Sequence, residues 1–96
     1  MSSDPEMVTL RLFAALRDAV GEREVHLPCA GATVQEMLEQ FVDTCAQDVR
    51  SFVFDKQGKQ WPSLLILINE EPPADRQATR VQPGDVISLL LPLAGG

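Results

Sequence analysis

Two glycines, Gly95 and Gly96, follow the apolar run Val86–Leu93 and close the chain. They present a bare α-carboxylate on a thin stalk. Glycine has no Cβ and reaches backbone conformations closed to other residues. Such a tail can thread a narrow active site that any side chain would block, and the Gly96 carboxylate can then be the reacting group itself. A chain end is also the ordinary place for fraying, so the glycines take their meaning from what precedes them. Leu91, Pro92, Leu93 and Ala94 lead into the pair. Proline fixes its own φ and restricts the residue before it, which stiffens the exit and offers apolar contacts to a partner. Core burial in the last strand is the competing role for Leu91 and Leu93.

Little else in the chain could do chemistry. There is one histidine, His26, and no paired nucleophile and base. Cys29 and Cys45 stand alone, without metal-ligand spacing, so no metal is expected. Cys45 falls on an apolar helix face and is expected to be a buried structural thiol. Cys29 follows Pro28 near a strand end and is expected at the surface. The chain is therefore expected to be a substrate or carrier rather than a complete enzyme, with no cofactor bound.

Charge narrows the partners. Eight basic residues against fourteen acidic ones give a net charge of -6. Phosphate binding needs clustered Lys and Arg, so nucleic acid and anionic membranes are not expected. A partner with a basic docking face is favoured. Residues 1–7 are polar and acidic, without the apolar stretch of a secretory signal. The runs Leu64–Ile68 and Val86–Leu93 are strand-sized and too short to span a bilayer. The expected location is cytoplasmic.

The elements that must position the tail follow from periodicity. Val8–Ala14 alternates, with Val8, Leu10, Leu12 and Ala14 on one face and Thr9, Arg11 and Phe13 on the other, as in a strand with one buried face. Phe13 is thus a candidate for a docking patch on the sheet face; burial under a loop competes. Ala14–Val20 is a brief helical segment closed by Gly21. Arg23–Leu27 alternates again and is expected to pair antiparallel with the first strand. Thr33 and Glu36 form a capping box, and Val34, Met37, Leu38, Phe41, Val42 and Cys45 make one apolar stripe on a helix of about four turns.

Residues 48–62 are mixed, with an exposed turn at Asp55–Lys59 and Trp61-Pro62 packing a loop against the sheet. Leu64–Ile68 reads as a strand buried on both faces or covered by the helix. Ala74–Thr79 is irregular or a short strand. Pro83-Gly84 turns the chain, Asp85 orders that turn, and Val86–Leu91 is the final strand. One helix must cover one face of a mixed sheet of about four to five strands, with a later strand parallel to the first. This is an α+β fold, a ubiquitin-like β-grasp. The expected organisation is a short lead at 1–7, a folded domain at 8–94 and a flexible tail at 95–96.

These residues resemble the small β-grasp sulfur carriers of the MoaD/ThiS family, and more closely its MoaD-like branch. The resemblance runs from Met7 to Gly96. Val8-Thr9-Leu10-Arg11-Leu12-Phe13-Ala14 with Leu16-Arg17 and Gly21 is similar to that family's first strand and short helix. Ala32-Thr33-Val34 with Leu38 is similar to its helix start, Ile68-Asn69 to a strand end, and Gly84-Asp85 with Gly95-Gly96 to its closing signature. There are departures. Leu90-Leu91-Pro92-Leu93-Ala94 replaces an aromatic and a proline pair, Glu70-Glu71-Pro72-Pro73 stands where a glycine is usual, and Ser51–Pro62 is longer than in short carriers.

The resemblance implies a mechanism. An E1-like activating enzyme of the MoeB/ThiF type would consume ATP to adenylate the Gly96 carboxylate, and sulfur would replace AMP to give a thiocarboxylate. Gly95, Ala94, Leu93, Pro92, Leu91 and Phe13 would contact the partner. It implies the small subunit of a molybdopterin synthase, with a larger catalytic subunit accepting the tail. Sulfur transfer to thiazole, to cysteine or homocysteine synthesis, or to tRNA belongs to the same class. A ubiquitin-like modifier would instead link Gly96 to lysines, and a plain interaction module would make the glycines incidental.

Overall fold

The computed structural model describes residues 7–29, 31–45 and 48–91. The lead at 1–6 and the exit and tail calls on Pro92, Leu93, Ala94, Gly95 and Gly96 lie outside the described residues.

Alternation builds the sheet. In β1, Val8–Phe13, the residues Val8, Leu10 and Leu12 are buried while Arg11 is exposed. In β4, Val86–Leu91, Ile87 and Leu89 are buried. The two strands run parallel, Thr9 opposite Val86 through Phe13 opposite Leu90. β2, Glu24–Leu27, pairs antiparallel with β1, and β3, Leu65–Ile68, pairs antiparallel with β4. The sheet has four strands in the order β2-β1-β4-β3.

One helix covers the buried face. α2, Val34–Thr44, buries Val34, Met37, Leu38, Phe41 and Val42, which join Leu10, Leu12, Ile66, Ile87 and Leu89 in one core. The helix start is held at both of its ends. The Glu36 backbone N–H donates to Thr33 Oγ1 at 3.1 Å, and the Thr33 N–H donates to Glu36 Oε1 at 2.9 Å. Thr33→Ala should cost about 1 kcal/mol of stability, read as a lower thermal midpoint with an unchanged far-ultraviolet spectrum at low temperature.

α1, Ala14–Val20, buries Leu16 and Val20 and ends as expected. Gly21 takes a φ of 88°, and its N–H donates to the Arg17 carbonyl at 2.8 Å, a left-handed cap that suits glycine.

Several expectations are corrected. β3 is an edge strand, and Leu65 is 43% exposed. Of the two readings of Leu64–Ile68, cover by the helix on one face is observed, with Leu64 and Ile66 in the core shared with α2, and burial on both faces is not. Residues 50–53 form a short helix, α3, Arg50–Val53, with no side-chain cap, so nothing in the sequence announced it. Trp61 does not pack under the sheet. It is 38% exposed, and its Nε1 donates to the Ser51 carbonyl at 2.8 Å. Cys29 is buried and Cys45 half-buried, the reverse of the expected order. Burial pushes both thiols up from their ordinary value, so neither is poised as a nucleophile.

Residues 74–79 form no strand. Asp75 Oδ1 instead accepts from the Gln77 and Ala78 N–H groups at 2.8 and 2.9 Å. Bonds from Ala78 and then Gln77 hold the Asp75 carboxyl below its usual range. Their stabilisation is present above the ordinary carboxylate pKa and fades as acid protonates the group in the folded state.

The β3–β4 end of the sheet closes on Asn69. Its N–H donates to the Val86 carbonyl at 2.8 Å, its Nδ2 to Asp85 Oδ1 at 2.9 Å, and its Oδ1 accepts from the Val86 N–H at 3.0 Å. Asp85 Oδ2 accepts from the Gln82 N–H at 2.8 Å, so Asp85 orders the turn as expected. Asn69 and Glu70 have φ of 52° and 72°. Two positive φ values in a two-residue turn call for Asn-Gly, and glutamate at the second position is strained. Glu70→Gly should therefore raise stability by about 0.5–1 kcal/mol, measured by denaturant midpoint at constant slope.

Candidate functional site: the tail exit and the open sheet face

β4, the strand that precedes the tail in sequence, lies inside the sheet between β1 and β3. Leu91 ends β4 and bridges in parallel to Ala14; it is half-buried and packs against the core. Core contact, one of the two roles foreseen for Leu91, is therefore observed. Ala14 has a φ of 54°, a left-handed conformation that costs an L-residue about 1 kcal/mol or more. The backbone is thus strained where β1 turns into α1, at the level of the tail's root.

The sheet face opposite α2 divides into two halves. Near the exit it is apolar. Phe13 stands opposite Leu90, and Leu90 opposite Leu65. Phe13, Leu65, Leu67, Ser88 and Leu90 line a shallow depression of about 240 Å³. Phe13 is half-buried on this face and, among the described residues, belongs to a surface patch and does not lie under a loop. Sequence reasoning named Phe13 and Leu91 but missed Leu65, Leu67 and Leu90. The signal was available in Leu64–Ile68, where an unbroken apolar run on an edge strand must put leucines on the outer face.

The other half is charged. Arg11, Arg17, Arg23, Glu22, Glu24 and His26 line a larger cleft of about 810 Å³ with Phe13 at its border. Arg11 lies 3.9 Å from Glu24, and its guanidinium is 5.7 Å from the centre of the Phe13 ring. Both partners of that ion pair are about half exposed, so its contribution to stability is small. Three of the chain's eight basic residues line this one cleft. The charge beside the exit is therefore mixed, and the net charge of -6 does not describe it.

No group of three His, Cys, Asp or Glu side chains that could hold a metal occurs among the described residues. Among them, no helix is long and apolar enough to cross a membrane.

A mixed four-stranded sheet wrapped on one main helix, with the last described strand central, is the ubiquitin-like β-grasp. The ThiS family model matches residues 10–96, and this chain belongs to the ThiS family. Its class is that of small ubiquitin-like sulfur carriers and modifiers.

Small archaeal modifier protein 1 of Haloferax volcanii superposes with a TM-score of 0.83 at 28% identity, covering 94% of this chain and 99% of that one. CysO of Amycolatopsis orientalis, solved in a complex with BexX, gives 0.69 at 26% identity, covering 93% and 99%. A molybdopterin converting factor subunit 1 from Pyrococcus furiosus gives 0.69 at 20% identity, covering 91% and 98%, a likeness of fold alone. No curated protein matches the chain.

Proposed function

We propose that this chain is a sulfur carrier whose Gly96 carboxylate is adenylated and then converted to a thiocarboxylate, acting as the small subunit of a molybdopterin synthase. The observation that carries the carrier reading is the family match running through Gly96. The apolar face of Phe13, Leu65 and Leu90 beside the root of the tail supports it.

The chemistry places its demands on the partners. A carboxylate oxygen of Gly96 attacks the α-phosphorus of ATP, and pyrophosphate leaves. A sulfur nucleophile then attacks the acyl carbon; the C–S bond forms and AMP departs. The activating enzyme is E1-like, of the MoeB/ThiF type. The larger synthase subunit accepts the loaded tail, whose sulfur goes to a pterin precursor. This chain supplies the reacting carboxylate, a slim approach through Gly95, and the β-grasp domain as a handle. It binds no cofactor of its own, ATP being consumed by the activating enzyme, and it works in the cytoplasm.

The choice of acceptor is tested genetically. Deleting the gene in its host should abolish molybdenum-cofactor-dependent activity, and only a chain ending at Gly96 should restore it. Retained molybdoenzyme activity with a requirement for thiamine or cysteine would move the acceptor to those pathways. A second reading, a ubiquitin-like modifier forming isopeptides with lysines, is favoured by the modifier protein at 28% identity over nearly the whole chain. High-mass conjugates that survive denaturation would select it.

A further inference from the structure

Outside the tail exit, a second apolar groove lies beside the chain's only lysines. Lys56 and Lys59 are the sole lysines, and both sit in one exposed loop. That loop is braced by Asp55, whose Oδ1 accepts from the Gln57 and Lys59 N–H groups at 2.8 and 3.0 Å, and whose N–H donates to the Lys59 carbonyl at 2.8 Å. Arg50, Phe54, Asp48, Asp55, Lys56 and Trp61 line an adjoining groove of about 480 Å³. Phe54 is buried in its floor and Trp61 is exposed at its wall. Lys56 borders the groove and Lys59 does not.

The existing bonds leave the groove open to an apolar occupant. Arg50 is engaged, with Nη1 and Nη2 donating to Glu39 at 2.8 and 3.3 Å and the guanidinium 4.8 Å from the Phe54 ring centre. Asp55 Oδ1 is committed to its own loop. What remains is an aromatic wall with the Lys56 amine and the Asp48 carboxylate on its lining.

The chain's own last residues match that chemistry. Leu90-Leu91-Pro92-Leu93-Ala94-Gly95-Gly96 carries no charged side chain and contains a proline, the composition that docks in extended form on exposed aromatic rings. Five residues beyond Leu91 reach about 17 Å when extended, enough to lay a short apolar segment along the groove and bring Gly96 to its rim.

We propose that this loop is the acceptor site for the activated tail of a second copy of the chain, joining Gly96 of one copy to Lys56 of the next. The proposal rests on the modifier reading above. In the step itself, the Lys56 Nζ lone pair attacks the acyl carbon of the Gly96 adenylate made with ATP. The N–C bond forms, the C–O bond to AMP breaks, AMP carries away the electron pair, and the nitrogen gives its proton to solvent. Trp61 and Phe54 hold the tail, and Lys56 is favoured over Lys59 because it borders the groove.

The test bypasses the activating enzyme. Full-length chain bearing a chemical thioester at Gly96 is mixed with isotope-labelled chain ending in the free carboxylate, and tryptic fragments are weighed. The branch Val81–Gly96 is expected on Lys56 of the labelled copy. It should fall about tenfold in K56R and in Trp61→Ala and persist in K59R; W61F, which keeps an aromatic wall, should stay near wild type. Trp61 is the only tryptophan, so its emission should shift saturably with a synthetic peptide of residues 90–96 at up to about 1 mM.

Equal branching at Lys56, Lys59 and the N-terminal amine, indifference to Trp61→Ala, or an unmoved emission would overturn the proposal. So would a cyclised monomer, lighter by one water. A positive thioester result without ATP-dependent conjugates in the host would instead remove the modifier reading and leave the groove assignment standing.

Discussion

A chain extended by one alanine beyond Gly96 folds normally and loses adenylation by at least about a hundredfold. The two halves of this result have separate causes. Among the described residues the core reaches Leu89, with Leu91 packed against it, and an alanine added after Gly96 is separated from the last of them by five residues, so the thermal midpoint should stay unchanged. Adenylation, by contrast, needs the α-carboxylate itself at the α-phosphorus of ATP. An added residue displaces that carboxylate by a full residue length and puts a Cβ into a channel suited to glycine. ATP–pyrophosphate exchange with the host's activating enzyme measures the loss. Undiminished exchange by the extended chain would make the glycines incidental and return the domain to a plain interaction module.

The second large effect is on docking. Phe13→Asp should weaken binding to the activating enzyme by about a hundredfold, near 2.7 kcal/mol. The ring sits in the apolar half of the open sheet face, beside Leu90 and next to the tail's root. A carboxylate there must be desolvated on docking without a partner, and the contact of Arg11 with the ring is lost as well. Phe13 is half-buried, so part of the effect could arise from the fold. Leu65→Asp is the control. Leu65 is 43% exposed on the edge strand and belongs to the same depression, so its change should weaken binding comparably at little cost in stability. Calorimetric titration together with thermal melts separates the two terms. Full affinity in both variants would move the docking surface elsewhere on the domain.

What the sequence disclosed, and what it withheld, follows from how far each signal reaches. The strands β1 and β4 and the helix α2 were legible because each buries one face, and alternation or a 3.6-residue stripe records that directly. Thr33 and Glu36 announced their capping box, and Gly21 its left-handed cap. That a later strand runs parallel to β1 followed from a right-handed crossover through the helix; that this strand is β4 is seen in the structure.

Where both faces of a segment are apolar, periodicity says nothing about direction. Leu64–Ile68 therefore read as buried on both faces or covered by the helix, with nothing to choose between them, and Leu65 and Leu67 face the open side near the exit. The four-residue α3 carries no cap and too few residues for a stripe, so Trp61 lost its true neighbour, Ser51. Burial of Cys29 depends on residues far away in the chain and leaves no local mark. Net charge averages over the whole surface and concealed the arginines around the exit. Of the apolar patch, Phe13 was legible and the leucines that complete it were not; Gly96 lies outside the described residues.

The central claim is that Gly96 carries sulfur. It is tested most directly by purifying the chain, untagged at its C-terminus, from its own host and weighing its tryptic fragments. Cleavage after Arg80 releases Val81–Gly96, which contains neither Met nor Cys, so oxidation or a thiol adduct cannot imitate the change. A mass gain equal to replacement of one oxygen by sulfur, mapped to Gly96, is the predicted result. A fragment that stays unmodified after incubation with ATP and host extract would contradict it.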